Sequence, residues 1–123
     1  MPKVLLIEDE DAVRSLLRMV FEQAGYLVSE ASDGSAGLHK ASTEAPDVIV
    51  LDLMLPRLDG ETVLRRLRQD PATAATPVLI VTASDSGADE LKWEVGVANT
   101  FTKPFDPELV LSRADKALGR SSE

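Results

Sequence analysis

Carboxylates, one hydroxyl and one ammonium group follow four apolar segments of this 123-residue chain. An acidic triplet at residues 8–10 follows the first segment, and Asp52 ends the run VIVLD. Thr82 and Lys103 follow two later segments. Carboxylate oxygens are ligands that Mg²⁺ prefers, and an ionised carboxylate can also act as a nucleophile. These residue types indicate a magnesium-dependent reaction in which an aspartate takes part.

Asp52 needs a partner, because an aspartate is rarely buried alone at the end of an apolar strand. Acids brought together from residues 8–9 and Asp52 would repel one another. Lys103 supplies one positive charge, and a divalent cation supplies two. An ionised Asp52 in such a site can attack phosphorus and form an aspartyl phosphate. The metal, Lys103 and Thr82 would each hold an oxygen of the transferred group.

Short β-type runs alternate with longer amphipathic stretches, and these elements must position the polar groups. The pattern predicts strands at residues 3–8, 26–31, 47–53, 76–83 and 99–103. It predicts helices at residues 11–24, 34–43, 87–95 and 107–118, and one that follows Gly60. Gly25 should end the first of these helices, and one face of the last should consist of Val110, Ala114, Ala117 and Leu118. Five βα units with short connections imply a parallel sheet with helices on both faces. Ligands bind beyond the carboxyl ends of such strands, so the polar groups should meet there.

Composition restricts the class of protein. The length suggests one domain, and a net charge of −8 argues against nucleic acid as a direct partner. The chain has no cysteine, which excludes disulfides and fits a reducing cytoplasm. No segment resembles a signal peptide or a membrane span.

The chain resembles the receiver domain of two-component response regulators, of the chemotaxis-regulator type. The resemblance rests on EDE at residues 8–10, DLMLPRLDG at 52–60, TA at 82–83 and TKPF at 102–105. It implies a single doubly wound, flavodoxin-like (βα)5 domain of the α/β class. The five-stranded parallel sheet would have the order 2-1-3-4-5. The receiver domain would span residues 1–119, with a C-terminal tail at 120–123.

The resemblance also implies a metal site. Asp9 and Asp52 would bind Mg²⁺ directly, or Mn²⁺ in its place, together with the backbone carbonyl of Met54. Glu8 would act through a metal-bound water.

For the reaction, the resemblance implies that Asp52 takes a phosphoryl group from the phosphohistidine of a sensor histidine kinase or a phosphotransfer protein. Thr82 and Lys103 would bind the transferred group, while Met54 and Ser84 would flank the path of attack. The domain would help to catalyse its own phosphorylation and hydrolysis without being a turnover enzyme. A downstream target protein would bind the changed surface, and the domain itself would be a monomer or a weak dimer.

One position departs from the family pattern. Thr100 stands three residues before Lys103, where the family usually has an aromatic switch residue. Phe101 should point the opposite way, into the core. Trp93 lies on the predicted outer face of its helix, so it is a candidate contact on the face that binds the partner.

Three other functions remain open. A constitutive interaction module with the same fold would not need the aromatic residue that Thr100 replaces. An aspartyl-nucleophile phosphatase commonly has a second acid two residues after the nucleophile, where this chain has Met54. A flavodoxin-like cofactor carrier would need a phosphate-binding loop after the first strand, where residues 8–11 are all acidic.

Overall fold

A parallel five-stranded sheet forms the centre of the protein, in a computed structural model that describes residues 1–83 and 100–120. The strands are β1 (Lys3–Ile7), β2 (Leu27–Ala31), β3 (Val48–Asp52), β4 (Val78–Thr82) and β5 (Thr100–Thr102). Their spatial order is β2-β1-β3-β4-β5, which confirms the predicted order. The polar strand β2 lies at an edge, as its composition predicted. The helix predicted at residues 87–95, with Trp93, and also Ser84 lie outside the described residues.

Four helices of the described chain cover both faces of the sheet. They are α1 (Asp11–Gln23), α2 (Gly34–Glu44), α3 (Gly60–Gln69) and α4 (Pro107–Ala117). Side chains alternate across each strand, so β3 sends Ile49 and Leu51 to α2 and α3, and Val48 and Val50 to α1 and α4. All five residues of β3 are buried, as expected for a central parallel strand.

Aspartates fix where three of these helices begin. The side chain of Asp33 accepts a hydrogen bond from the backbone N–H of Ala36, and Asp59 caps α3 in the same way. Asp106 caps α4, whose first residue is proline. Such caps satisfy backbone donors that have no partner inside the helix. Within residues 1–83 and 100–120, no helix combines the length and apolar character that crossing a membrane requires.

The buried face of α4 differs from the predicted one. Val110 and Ala114 are fully buried as predicted, but Ala117 is exposed. Asp115, which the apolar pattern did not single out, is buried instead. The hydroxyl of Tyr26 donates a 2.6 Å hydrogen bond to the Asp115 carboxylate, which gives this buried acid a partner.

Side-chain contacts join the end of α4 to the start of β2, and they involve Tyr26, Asp115 and Arg120. Nε of Arg120 lies 3.5 Å from the Asp115 carboxylate, and its guanidinium carbon lies 5.1 Å from the centre of the Tyr26 ring. Burial raises the pKa of Tyr26 above its ordinary value of 10.0, and the hydrogen bond to Asp115 raises it further.

This raised pKa predicts a loss of stability in alkali. The unfolded chain releases the Tyr26 proton near pH 10 while the folded chain retains it, so the stabilisation is complete below that pH and is lost as the pH rises. We expect the free energy of unfolding to fall more steeply above about pH 10 in the wild type than in Tyr26→Phe. Urea unfolding at several pH values measures both slopes. Parallel slopes would contradict the assignment.

Candidate functional site

The carboxyl ends of four neighbouring strands bring together residues that are far apart in the sequence. Ile7 at the end of β1 is paired with Leu51, and Asp52 follows as the last residue of β3. Asp52 is paired with Val81, and Thr82 with Thr102. The predicted site residues Glu8, Asp52, Thr82 and Lys103 therefore lie at one edge of the sheet.

Lys103 lies at the centre of this edge. Its Nζ is 3.0 Å from Glu8 Oε1, 2.9 Å from Glu10 Oε1 and 3.0 Å from Asp52 Oδ2. Its backbone N–H donates a 2.8 Å hydrogen bond to the Thr82 carbonyl, which ties the residue to the end of β4. Burial alone would lower the pKa of Lys103, but its close contacts with the carboxylates of Glu10, Asp52 and Glu8 raise it above its usual value. The lysine therefore remains charged.

Asp52 is buried, with only 1% of its surface exposed, and both of its carboxylate oxygens have partners. Oδ1 accepts a hydrogen bond from the Met54 backbone N–H at 2.9 Å, and Oδ2 accepts one from Lys103. The Met54 side chain is 61% exposed. These two donors explain how an aspartate can end a strand that is otherwise apolar.

Glu8 is the most deeply buried acid of the site, with no exposed surface. Burial raises its pKa to about 7; the Glu10 N–H and Lys103 oppose the rise, and the Asp52 charge adds to it. Oε2 accepts a 3.0 Å hydrogen bond from the Glu10 backbone N–H. Oε1 lies close to the Lys103 ammonium but has no well-directed hydrogen bond in the described part of the chain.

A divalent cation fits this set of oxygens. One carboxylate oxygen from each of Glu8, Glu10 and Asp52 lies within 4.8 Å of the other two. Three carboxyl groups share one ammonium group at this edge. A divalent cation bound among them would favour the ionised form of Glu8, whose pKa burial raises. A site of carboxylate oxygens favours Mg²⁺ or Mn²⁺ over softer metals.

Glu10 belongs to this cluster, whereas Asp9, the predicted direct ligand, is exposed and lies outside it. The backbone of Glu10 is extended, with φ −78° and ψ 115°. Side chains two residues apart in an extended chain share a side, so the spacing of Glu8 and Glu10 allows both to face Lys103, although the sequence did not single out Glu10. Direct metal binding by Asp9 and by the Met54 carbonyl stays a prediction.

Thr82 and Thr100, which replaces the usual aromatic residue of the family, lie on neighbouring strands. Thr82 is fully buried at the end of β4. Thr100 is half-buried and is paired with Ile80; its buried Oγ1 has no hydrogen-bond partner in the described part of the chain. Phe101 packs against the core that β4 shares with α1 and α4, as predicted.

Gly60 allows α3 to begin directly against the end of β3. A Cβ atom at this position would lie 2.3 Å from the Asp52 carbonyl oxygen and 2.4 Å from the Leu53 Cα. The Gly60 N–H donates a 3.0 Å hydrogen bond to the Leu53 carbonyl. The glycine therefore fixes the backbone that carries Asp52.

Comparison with known proteins identifies relatives over almost the whole chain. The family model described as "Response regulator receiver domain" matches residues 4–115. The transcriptional regulator RpaA of Synechocystis is 43% identical over 98% of this chain and 51% of its own length. The regulatory protein PhoP of Bacillus subtilis is 45% identical over 97% of this chain and 49% of its own. The chain thus spans about half the length of these relatives.

Solved structures show the same fold. The receiver domain of the Francisella response regulator 1452 has a TM-score of 0.86 and 32% identity, covering 97% of this chain and 98% of its own. The chemotaxis regulator CheY4 of Vibrio cholerae has a TM-score of 0.84 and 30% identity, covering 95% of this chain and 98% of its own. With a family match of this extent and relatives above two-fifths identity, the chain belongs to the response regulator receiver domain family.

Proposed function

We propose that this domain is a phosphoacceptor switch of a two-component system, with Asp52 as the residue that is phosphorylated. The observation that carries the proposal is the single ammonium group of Lys103, within 3.0 Å of carboxylate oxygens of Asp52, Glu8 and Glu10. Lys103, which would bind the transferred oxygens, thus contacts both the proposed nucleophile Asp52 and the two glutamates that could bind a metal. The phosphoryl donor would be the phosphohistidine of a sensor kinase or a phosphotransfer protein.

The transfer requires one bond to form and one to break. A carboxylate oxygen of Asp52 attacks phosphorus, the P–N bond of phosphohistidine breaks, and the imidazole leaves with the electron pair. The Met54 N–H holds Oδ1, which orients the carboxylate before attack. Lys103 and Thr82 would then bind oxygens of the phosphoryl group.

Mg²⁺ would be held by acids of the cluster, with Asp9 and the Met54 carbonyl as further predicted ligands. Bound there, it would neutralise negative charge that otherwise opposes the approach of a phosphoryl group. Mn²⁺ has similar ligand preferences and should replace it.

Phosphorylation would place a group with a charge of about −1.5 to −2 next to Thr82, in place of the single negative charge of the Asp52 carboxylate. Because β5 is hydrogen-bonded to β4, movement of Thr82 toward the phosphoryl group could be transmitted to Thr100. A downstream target protein would bind the altered surface, for which Trp93 remains the predicted contact.

Intact-mass measurement after incubation with Mg²⁺ and acetyl phosphate tests this function. We expect the mass of one phosphoryl group to be added to the wild type, and none to Asp52→Asn or in excess chelator. Asp47→Asn is the matched control, because Asp47 is exposed just before the opposite end of the same strand. A mass gain that survives both Asp52→Asn and the chelator would refute the proposal, and no gain in the wild type would favour a constitutive interaction module.

A further inference from the structure

Arg14, in the first turn of α1, reaches back to the loop that carries the acids. Its Nη1 donates a 2.7 Å hydrogen bond to the Glu8 carbonyl oxygen. Its Nη2 donates a 2.5 Å hydrogen bond to the Asp11 carboxylate, and its Nε lies 3.5 Å from Glu30 on β2. Only 17% of the side chain is exposed. Three contacts in three directions hold this guanidinium in place.

The carbonyl that Arg14 binds belongs to the peptide between Glu8 and Asp9. A planar peptide moves as a unit, so its orientation helps to set where both side chains point. In this structure Glu8 points into the site and Asp9 is exposed. Charge repulsion among residues 8–11 favours a more open loop, and a cation bound to the backbone opposes that opening.

We propose that Arg14 is a positioning residue, which holds the Glu8 carbonyl so that the acidic loop presents its carboxylates to the divalent cation. This inference rests on the proposed function, because it assumes that the acids bind Mg²⁺. Arg14 does not touch Asp52 or Lys103 in any described contact, so it acts through the loop.

The sign of the effect separates positioning from simple electrostatics. A guanidinium near the acids repels Mg²⁺, so a purely electrostatic role means that removing Arg14 tightens Mg²⁺ binding. Loss of positioning has the opposite effect, because disordered ligands bind a metal less well.

Arg18 is the matched control, one turn further along α1. It also pairs with Glu30, at 2.7 Å, and with Glu22 at 3.2 Å. No described contact joins it to residues 8–10. Arg14→Ala and Arg18→Ala each remove an arginine of α1 that pairs with Glu30. Only Arg14→Ala also removes the hydrogen bond to the Glu8 carbonyl.

Calorimetric titration of each full-length, metal-free variant with MgCl₂ is the test, with urea unfolding as a second measurement. We expect Arg14→Ala to weaken Mg²⁺ binding about 10-fold, and Arg18→Ala to leave it at the wild-type value. Arg14→Lys retains the charge but cannot make all three contacts, so we expect it to bind more weakly than the wild type too. Both alanine variants should lose similar stability.

This inference would be overturned if Arg14→Ala bound Mg²⁺ as tightly as Arg18→Ala does, or more tightly than the wild type. It would also be overturned if Arg14→Lys bound Mg²⁺ with the wild-type affinity. If Arg14→Ala does not fold, Arg14→Lys serves as the test variant. We then expect the backbone amides of residues 8–10 to exchange hydrogen faster in Arg14→Lys than in the wild type. A wild type that neither binds Mg²⁺ nor accepts a phosphoryl group would refute the proposed function itself. Normal binding and phosphorylation with no effect of Arg14 would refute only its positioning role.

Discussion

Replacing Lys103 with methionine is expected to slow phosphorylation of Asp52 by acetyl phosphate about 10²–10³-fold. The ammonium group contacts the carboxylate of Asp52, which is the proposed nucleophile. Methionine has a similar length but no charge, so it cannot stabilise the transferred oxygens. It also leaves three carboxylates without their shared partner, which should oppose the approach of an anionic donor.

Rates of mass gain at a fixed Mg²⁺ concentration measure this effect. Lys116→Met is the matched control, because Lys116 is an exposed lysine on α4. We expect that variant to react at the wild-type rate. If Lys103→Met also did so, the lysine would have no role in the transfer.

Replacing Gly60 with alanine is expected to lower the free energy of unfolding by about 3 kcal/mol, at the upper end of the usual cost of overpacking. The added Cβ would meet the backbone of Asp52 and Leu53 at 2.3 and 2.4 Å. Backbone atoms cannot turn away as a flexible side chain can. The better helix propensity of alanine, about 1 kcal/mol, offsets only part of the clash. Because the displaced atoms carry Asp52, phosphorylation should also slow.

Gly25→Ala is the control, since it is strained for a different reason. Gly25 has a φ of +91° and open space around its Cβ position, so alanine there costs about 1–2 kcal/mol through the backbone alone. We expect Gly25→Ala to lose stability and keep the wild-type phosphorylation rate. Unfolding in urea and the rate of mass gain together separate the two glycines. Equal phosphorylation rates in both variants would contradict the role assigned to Gly60.

The parallel sheet followed from features that act locally in the sequence, whereas its strand order was predicted from the resemblance to receiver domains. β3 and β4 are apolar up to their last residues, Asp52 and Thr82, and central parallel strands need apolar residues on both faces. Gly25 was read correctly as the end of α1. Convergence of Asp52 and Lys103 followed from the geometry of parallel strands, although the two residues are 51 positions apart.

Other features depended on contacts that no local pattern encodes. Tyr26 and Asp115 are 89 residues apart, so no local pattern could predict the hydrogen bond that accompanies the burial of Asp115. Participation of Glu10 in the acidic cluster depends on how the chain bends after β1 and on where Lys103 lies. The spacing from Glu8 allowed this arrangement, but the sequence alone did not distinguish Glu10 from Asp9.

Chemical trapping of the phosphorylated residue tests the central claim most directly. Borohydride reduces an aspartyl phosphate to homoserine, and peptide mass spectrometry then locates the altered residue. After incubation with Mg²⁺ and acetyl phosphate, we expect homoserine at position 52, and none when chelator is present. Reduction at another carboxylate, such as Asp9 or Glu10, with position 52 unchanged, would contradict it.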